Sequence, residues 1–135
     1  MLTNRSIPRS TVIPVIPYPD LGEAVTWLCD VFGFSVRVRI GDHRVQLNVG
    51  DGAVVAREGG KDAGKAVSIM VRVEDVKAHC QRAKKHGARI VHELEDYPYG
   101  ERQYAVEDLA GYRWTFSQSI ADVAPEEWGG ETGTL

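Results

Sequence analysis

Two aspartates that lie 55 residues apart, Asp20 and Asp75, occupy equivalent places in two similar stretches of the chain. Each follows an apolar, β-branched segment that predicts a strand, and each can cap a helix that begins directly after it. Three further strand-like segments follow each predicted helix. Because the order of one strand, one helix and three strands occurs twice, the sequence predicts two βαβββ repeats.

Both predicted helices have one apolar face. Its residues are Leu21, Val25, Leu28 and Phe32 in the first helix, and Val76, Cys80 and Ala83 in the second. Spacings of three and four residues put these side chains on a single helical stripe. Gly33 and Gly87 follow the two stripes, and glycine is the usual residue just beyond a helix end.

The segments around the helices have the composition and alternation of strands. The first strand is predicted over residues 11–17, and Pro14 and Pro17 make it an edge strand or an irregular one, since proline lacks the amide donor. In the segment 34–40, apolar residues alternate with serine and arginine, which predicts a strand with one polar face. The other strands are predicted at 45–49, 53–56, 66–73, 89–94, 103–107 and 112–117.

These elements predict an α+β fold in which two βαβββ repeats form curved mixed sheets around a cleft, with the helices on the outer face. A length of 135 residues suits a single domain. We predict a flexible N-terminus over 1–10, one domain over 11–120 and a C-terminal tail over 119–135. Within the domain, repeat one covers 11–58, a linker covers 59–64 and repeat two covers 65–118.

Composition argues against several classes of partner. The net charge of −3, without a basic patch, argues against nucleic-acid binding. No apolar run approaches the ~20 residues of a membrane span, and residues 1–10 lack the apolar stretch of a signal peptide. Cys29 and Cys80 have no metal-type spacing, so we expect reduced thiols and a cytoplasmic protein.

The predicted strands have polar residues on the face opposite the helices. The apolar sets assigned to the helix side are Phe34, Val36, Val38, Val45, Leu47, Val49, Ile69, Val71, Val73, Trp114 and Phe116. The opposite faces carry Arg37, Arg39, Arg44, Gln46, Asn48, Ser68, Met70, Arg72, Arg113, Thr115 and Ser117. Such a surface suits a polar or anionic small molecule, and a solvated sheet face with scattered arginines is the alternative. From this set we predict ligand contacts for Gln46, Asn48, Ser68, Met70, Arg113 and Thr115.

Three stretches of the sequence carry a resemblance to a known family. TVIPVIPYPDLGEAVTWLCDVFGF and VSIMVRVEDVKAHCQRAKKHGARIV resemble the two strand–helix openings of the vicinal-oxygen-chelate superfamily, and YGERQYAVEDLAGYRWTFSQ resembles its last hairpin. That superfamily includes glyoxalases, extradiol dioxygenases and bleomycin- and fosfomycin-resistance proteins. The resemblance covers residues 11–128, with APEEWGG similar to the tail of uncharacterised glyoxalase-like members. It implies the fold more specifically than the activity.

The resemblance also implies four positions at which family members hold a divalent metal with His, Gln or Glu. Matched by motif, these positions are Ile13, Ala56, Ser68 and Thr115. Three of the four side chains are not ligands for a divalent metal and Ser68 is a poor one, so we predict no metal and no cofactor. The same comparison implies that the segment before the last hairpin borders the cleft. We therefore add Tyr99, Arg102 and Tyr104 as ligand contacts at the rim, with a loop pinned by packed tyrosines as the alternative.

The sequence thus predicts a metal-free, glyoxalase-like protein that binds a small molecule and, by the resemblance, forms a homodimer. No catalytic set is recognisable, so the sequence does not decide whether the protein is an enzyme. Two alternatives stay open: a metal-dependent lyase or dioxygenase of the same superfamily with unrecognised ligands, and a resistance protein that sequesters an antibiotic of the bleomycin type.

Overall fold

The structure, a computed structural model, describes residues 4–6, 8–60 and 68–132. Within these residues the chain forms eight strands, two α-helices and one short 3-10 helix. In chain order the elements are β1 Val15–Tyr18, α1 Leu21–Phe32, β2 Ser35–Ile40, β3 Arg44–Val49, β4 Gly52–Glu58, β5 Ser68–Arg72, α2 Val76–Lys85, β6 Arg89–Tyr97, β7 Glu101–Glu107, β8 Arg113–Ser119 and the 3-10 helix Pro125–Trp128. Neither α-helix is long and apolar enough to cross a bilayer.

The strands form two sheets with the same topology. The first sheet has the order β1-β4-β3-β2 and the second the order β5-β8-β7-β6. In each sheet the first strand of the repeat runs parallel to its last strand, and the other neighbours are antiparallel. The predicted α+β fold with two βαβββ repeats is therefore confirmed. Among the described residues β1 pairs with β4 alone, as expected of an edge strand; it contains Pro17, whereas Pro14 lies just before its first residue.

The chain divides into two compact units. The first contains β1 to β4, α1 and the turn Asp108–Tyr112, and the second contains β5 to β8, α2 and the 3-10 helix. Residues 61–67 lie outside the described residues, and with them most of the predicted linker and the predicted start of the strand at 66.

The helices begin where the sequence places them. The Asp20 side chain accepts a hydrogen bond from the amide of Glu23, and the Asp75 side chain accepts one from the amide of Ala78, both at 3.0 Å. Gly33, with φ of 78°, has the left-handed conformation that ends α1. Every residue of the two predicted apolar stripes is buried, so each helix covers one face of its own sheet.

A β-bulge in β2 reverses the faces that the sequence predicts for the end of this strand. Val36 is paired with Leu47, but Val38 is paired with Gln46, so the register shifts between them. Beyond the bulge the alternation is reversed. Arg39 is paired with Val45 and lies on the helix side, where its charge acts on the Cys29 thiol of α1. The predictions that Val38 faces the helix and that Arg39 faces away from it are wrong.

The turn Asp108–Tyr112 is held by one buried carboxylate. Asp108 is 5% exposed, and its Oδ1 accepts hydrogen bonds from the amides of Ala110 at 2.9 Å and Tyr112 at 3.0 Å. Its Oδ2 accepts a 2.7 Å hydrogen bond from the hydroxyl of Tyr18. The Tyr112 hydroxyl in turn donates to the carbonyl of Pro17. The first unit therefore fixes this turn to β1 through side chains that are largely removed from water.

Candidate functional site

The alternation of β8 defines the two faces of the second sheet. The Phe116 ring lies 3.9 Å from the His79 ring of α2, and the Gln118 side chain accepts a hydrogen bond from the amide of Val76 at the start of α2. These even-numbered residues face the helix. Arg113, Thr115 and Ser117 therefore point to the opposite face, which we call the helix-free face of the second sheet.

Four of the predicted ligand contacts lie together on this face. Ser68 is paired with Arg113 and Met70 with Thr115, in the parallel pairing of β5 with β8. Paired residues of neighbouring strands share a face, so these side chains form one patch. Ser68 and Arg113 are exposed, Thr115 is half-buried, and Met70 keeps 64% of its surface exposed. An exposed methionine beside hydroxyl and guanidinium groups can contact both apolar and polar parts of a small molecule.

Next to the patch lies a network of polar side chains that the sequence did not reveal. The Gln103 amide donates to Ser117 Oγ at 3.0 Å, and Ser117 Oγ donates to Glu101 Oε1 at 2.7 Å. The hydroxyl of Tyr99 donates to Gln103 Oε1 at 3.2 Å, which attaches the predicted rim tyrosine to the network. Gln103 is 8% exposed and Ser117 is 2% exposed. The sequence predicts this strand from Gln103, whereas β7 begins at Glu101. The longer strand puts Glu101 and Gln103 on the same face as Ser117.

Aromatic rings line the end of the hairpin that joins β6 to β7. Tyr97 and Tyr99 are stacked with centroids 5.3 Å apart, and Trp128 of the 3-10 helix lies 5.4 Å from Tyr99. Trp128 retains 47% of its surface exposed. The tyrosines thus contact one another and the tail, as the packing alternative expected, while the Tyr99 hydroxyl also joins the polar network.

Two of the predicted rim residues lie on the helix-covered face instead. Arg102 binds Asp96 through two hydrogen bonds, Nε to Oδ1 at 2.6 Å and Nη2 to Oδ2 at 3.0 Å, and this pairing lowers the pKa of Asp96. Arg102 lines a hollow of about 470 Å³ with Lys77 and Leu94. Tyr104 is 1% exposed, is stacked on Phe116, and its hydroxyl forms a hydrogen bond with His79 Nδ1. These residues are therefore not part of the patch on the helix-free face.

The two buried tyrosines give a testable dependence of stability on pH. Burial raises the pKa of Tyr104, and burial together with the Asp108 charge raises the pKa of Tyr18. Both tyrosines have a pKa in the folded state above the unfolded value of about 10. The stability that their neutral hydroxyl groups contribute is therefore fully present below about pH 10 and is lost as the pH rises above it. We expect the free energy of unfolding, measured by urea denaturation, to fall above about pH 10 more steeply than in the Y18F/Y104F double variant. Parallel curves for the two proteins would contradict this prediction.

The predicted contacts of the first sheet are already engaged within the first unit. Gln46 Oε1 accepts a hydrogen bond from Arg37, and Gln46 Nε2 donates to the carbonyl of Ser6 at 2.8 Å. Arg37 also donates to the carbonyl of Arg5, so residues of the N-terminal segment lie against the side chains of this face. Asn48 donates to Ser35 Oγ at 3.1 Å. A ligand of Gln46 would have to replace a hydrogen bond that the protein makes to itself.

The positions that the resemblance matches to metal ligands do not offer a metal-binding set. In the first unit, Ala56 is paired with Ile16 and Val45 and lies on the helix side, while its neighbours on the other face are Val55 and Arg57. In the second unit the corresponding positions on the helix-free face are Ser68 and Thr115. Over the described ranges, which omit 1–3, 7, 61–67 and 133–135, no three His, Cys, Asp or Glu side chains are grouped so that they could hold an ion. The residues present therefore do not fit a divalent metal at these positions.

Comparison with known proteins agrees with the topology. The family model of the Glyoxalase/Bleomycin resistance protein/Dioxygenase superfamily matches residues 11–116. The chain belongs to this superfamily. The resemblance drawn from the sequence is thereby confirmed, and the superfamily assignment leaves the ligand and the reaction open.

Individual relatives show how far the similarity extends. An uncharacterised protein of Mycobacterium bovis is 32% identical over 112 residues, which cover 83% of this chain and 69% of that protein. A relative from Mycobacterium tuberculosis matches at the same identity over 62% of its length. Among solved structures, TioX from Micromonospora sp. ML1 is 36% identical with a TM-score of 0.71, over 85% of this chain and 100% of that one. A lactoylglutathione lyase from Agrobacterium tumefaciens is 16% identical with a TM-score of 0.66, over 84% of this chain and 96% of its own, and shares the fold alone.

Proposed function

We propose that this chain is a glyoxalase-like protein that binds a polar or anionic small molecule without a metal ion, on the helix-free face of the second sheet. The observation that carries the proposal is the adjacent pairing of Ser68 with Arg113 and of Met70 with Thr115. This patch adjoins the network of Gln103, Ser117 and Glu101. Together they provide an apolar contact, hydroxyl groups and a cationic group over a few residues of two neighbouring strands.

The charges on the patch favour a ligand with acidic or strongly polar groups. Arg113 is exposed, as is Arg72, which is paired with Ser117 on the same face. Neither has a carboxylate within salt-bridge distance among the residues that the structure describes. The nearby carboxylate of Glu101 accepts the hydroxyl proton of Ser117. A guanidinium with unused donors binds carboxylate and phosphate groups through paired hydrogen bonds. An antibiotic with a net positive charge is disfavoured at such a surface.

The side chains at the four matched positions support binding without a metal. An alanine, an isoleucine, a serine and a threonine supply no set of deprotonated oxygen, nitrogen or sulfur ligands. The proposal therefore assigns no Lewis-acid step to this chain, and its chemistry is recognition by hydrogen bonds and packing. A homodimer in a reducing compartment is part of the proposal, supported by superfamily membership and by the free thiols of Cys29 and Cys80.

A titration with benzoate, a small carboxylate that also has an apolar ring, tests the location of the site. We expect saturable changes in the amide NMR signals of residues 68–70 and 113–117. A T115W variant should abolish them, because the indole ring would fill the patch. An R102W variant provides the matched control, since it places the same ring on the helix-covered face of the same sheet and should still bind. Binding that survives T115W and is lost in R102W would place the site elsewhere and contradict the proposal.

A further inference from the structure

A solvent-open hollow of about 530 Å³ lies at one end of the first sheet, within the first unit. It is lined by Ile40, His43, Arg44, Arg57, Glu58 and Gly59, from the hairpin between β2 and β3 and from the end of β4. Neither the predicted ligand contacts nor the matched metal positions belong to it. Its lining contains two guanidinium groups, one imidazole and one carboxylate.

The two arginines of the hollow are direct neighbours across the sheet. Arg44 is paired with Arg57 in the antiparallel register of β3 with β4. Like charges in directly opposite positions of a sheet repel each other and are unfavourable. Across the described residues, no carboxylate forms an ion pair with either guanidinium. Glu58, the one acidic residue of the lining, follows Arg57 in the chain, and its carboxylate is not within ion-pair distance of either guanidinium. The lining therefore carries two guanidinium charges against one carboxylate, and neither guanidinium is engaged in an ion pair.

The Arg57 side chain is held in place over a glycine. Its Nη1 donates a 3.2 Å hydrogen bond to the carbonyl of Glu58. A Cβ atom at Gly59 would lie 2.6 Å from this Nη1 atom and 3.3 Å from the Cβ atom of Pro17. The absence of a side chain at position 59 thus leaves room for the guanidinium to lie across the backbone. An arginine oriented in this way loses less conformational entropy when it binds an anion.

We infer that this hollow is an oxyanion-binding site, in which Arg44 and Arg57 hold the carboxylate or phosphate group of a small molecule. The paired guanidinium groups offer several N–H donors in planar forks, and such forks match the geometry of these oxyanions. His43 adds a ring nitrogen at the same end of the sheet. A bound anion would neutralise the repulsion between the two arginines. The relief of this repulsion would add to the binding free energy that the attraction to surface charge supplies. The inference does not depend on the function proposed for the second sheet.

Inorganic phosphate is the probe that tests this site, titrated against the full chain at constant ionic strength with chloride as the balancing anion. The expected result is saturable movement of the amide NMR signals of residues 43–44 and 57–59. Substitutions R44Q and R57Q should each weaken phosphate binding about tenfold, the factor for the loss of one charge-assisted hydrogen bond. The control R39Q removes the same charge from the helix side of β2 and should leave the dissociation constant unchanged. A parallel titration with acetate determines which oxyanion is preferred.

The G59A variant tests whether the position of the Arg57 guanidinium matters independently of its charge. Substitution G59A keeps both guanidinium groups but forces the Arg57 guanidinium to move, so phosphate binding should weaken several-fold while the net charge stays the same. Equal phosphate affinity in the wild type, R44Q and R57Q would overturn the inference, as would an equal loss in R39Q, which would show a non-specific charge effect. Movement of signals at 68–70 and 113–117 instead would assign the anion to the patch on the second sheet.

Discussion

Substitution F116A is expected to lower the free energy of unfolding by about 4 kcal/mol, the usual cost of removing a fully buried phenylalanine ring. Phe116 has no exposed surface, and its ring contacts His79 of α2 at 3.9 Å and is stacked on Tyr104 at 5.5 Å. The substitution would leave a cavity between α2 and the second sheet. The same strand carries Thr115 and Ser117 on its other face, so we also expect weaker order in the proposed ligand patch. Urea denaturation monitored by circular dichroism measures the change.

Two variants of β8 serve as controls for F116A. F116L keeps most of the buried apolar volume and should cost clearly less, because the cavity is smaller. T115A changes the adjacent residue on the helix-free face, where the side chain is half-buried, and should change the free energy of unfolding by less than about 1 kcal/mol. Equal losses for F116A and T115A would contradict the assignment of the two faces.

Substitution D108A is expected to cost about 3 kcal/mol, because three donors lose their acceptor at once. The amides of Ala110 and Tyr112 and the hydroxyl of Tyr18 all bind this carboxylate. Burial makes the loss larger than at the surface, since water does not readily replace the missing acceptor. The turn Asp108–Tyr112 should lose its fixed position on β1. Chemical denaturation gives the change in free energy, and NMR signals of residues 108–112 report the loss of order.

Two further substitutions serve as controls for D108A. Y18F deletes one donor and leaves both backbone hydrogen bonds, so its cost should be about 1 kcal/mol. D51A removes the same charge from an exposed turn and should have little effect. A loss in D108A no larger than that in D51A would show that the buried carboxylate does not stabilise the turn.

The helices could be predicted closely because their signals are local. A capping aspartate, a stripe of apolar residues and a terminal glycine all lie within one short segment, and the structure places α1 at Leu21–Phe32 and α2 at Val76–Lys85. Strand ends depend on partners far along the chain. β6 continues to Tyr97 beyond its predicted end at 94, since its two register shifts disrupt the alternation by which a strand is recognised.

The face on which each candidate site residue lies was predictable where the strand register is regular and not where it shifts. Ser68, Met70, Arg113 and Thr115 lie in the uninterrupted pairing of β5 with β8, and simple alternation put them on one face. Arg39 lies beyond a bulge and was assigned to the wrong face. Arg102 and Tyr104 were assigned to the rim from the position of their segment in the chain. The side to which each residue points depends on the pairing of β7 with β8, which the sequence does not reveal.

Native mass spectrometry of the intact protein, purified without chelator and analysed together with its elemental content, distinguishes metal-free from metal-dependent ligand binding. We expect a folded protein without stoichiometric zinc, manganese, nickel or iron that takes up benzoate as an added mass. Substitution T115W should remove this added mass. A full equivalent of divalent metal that must be present for benzoate to bind would contradict metal-free binding, because binding would then depend on ligands that the second sheet does not provide.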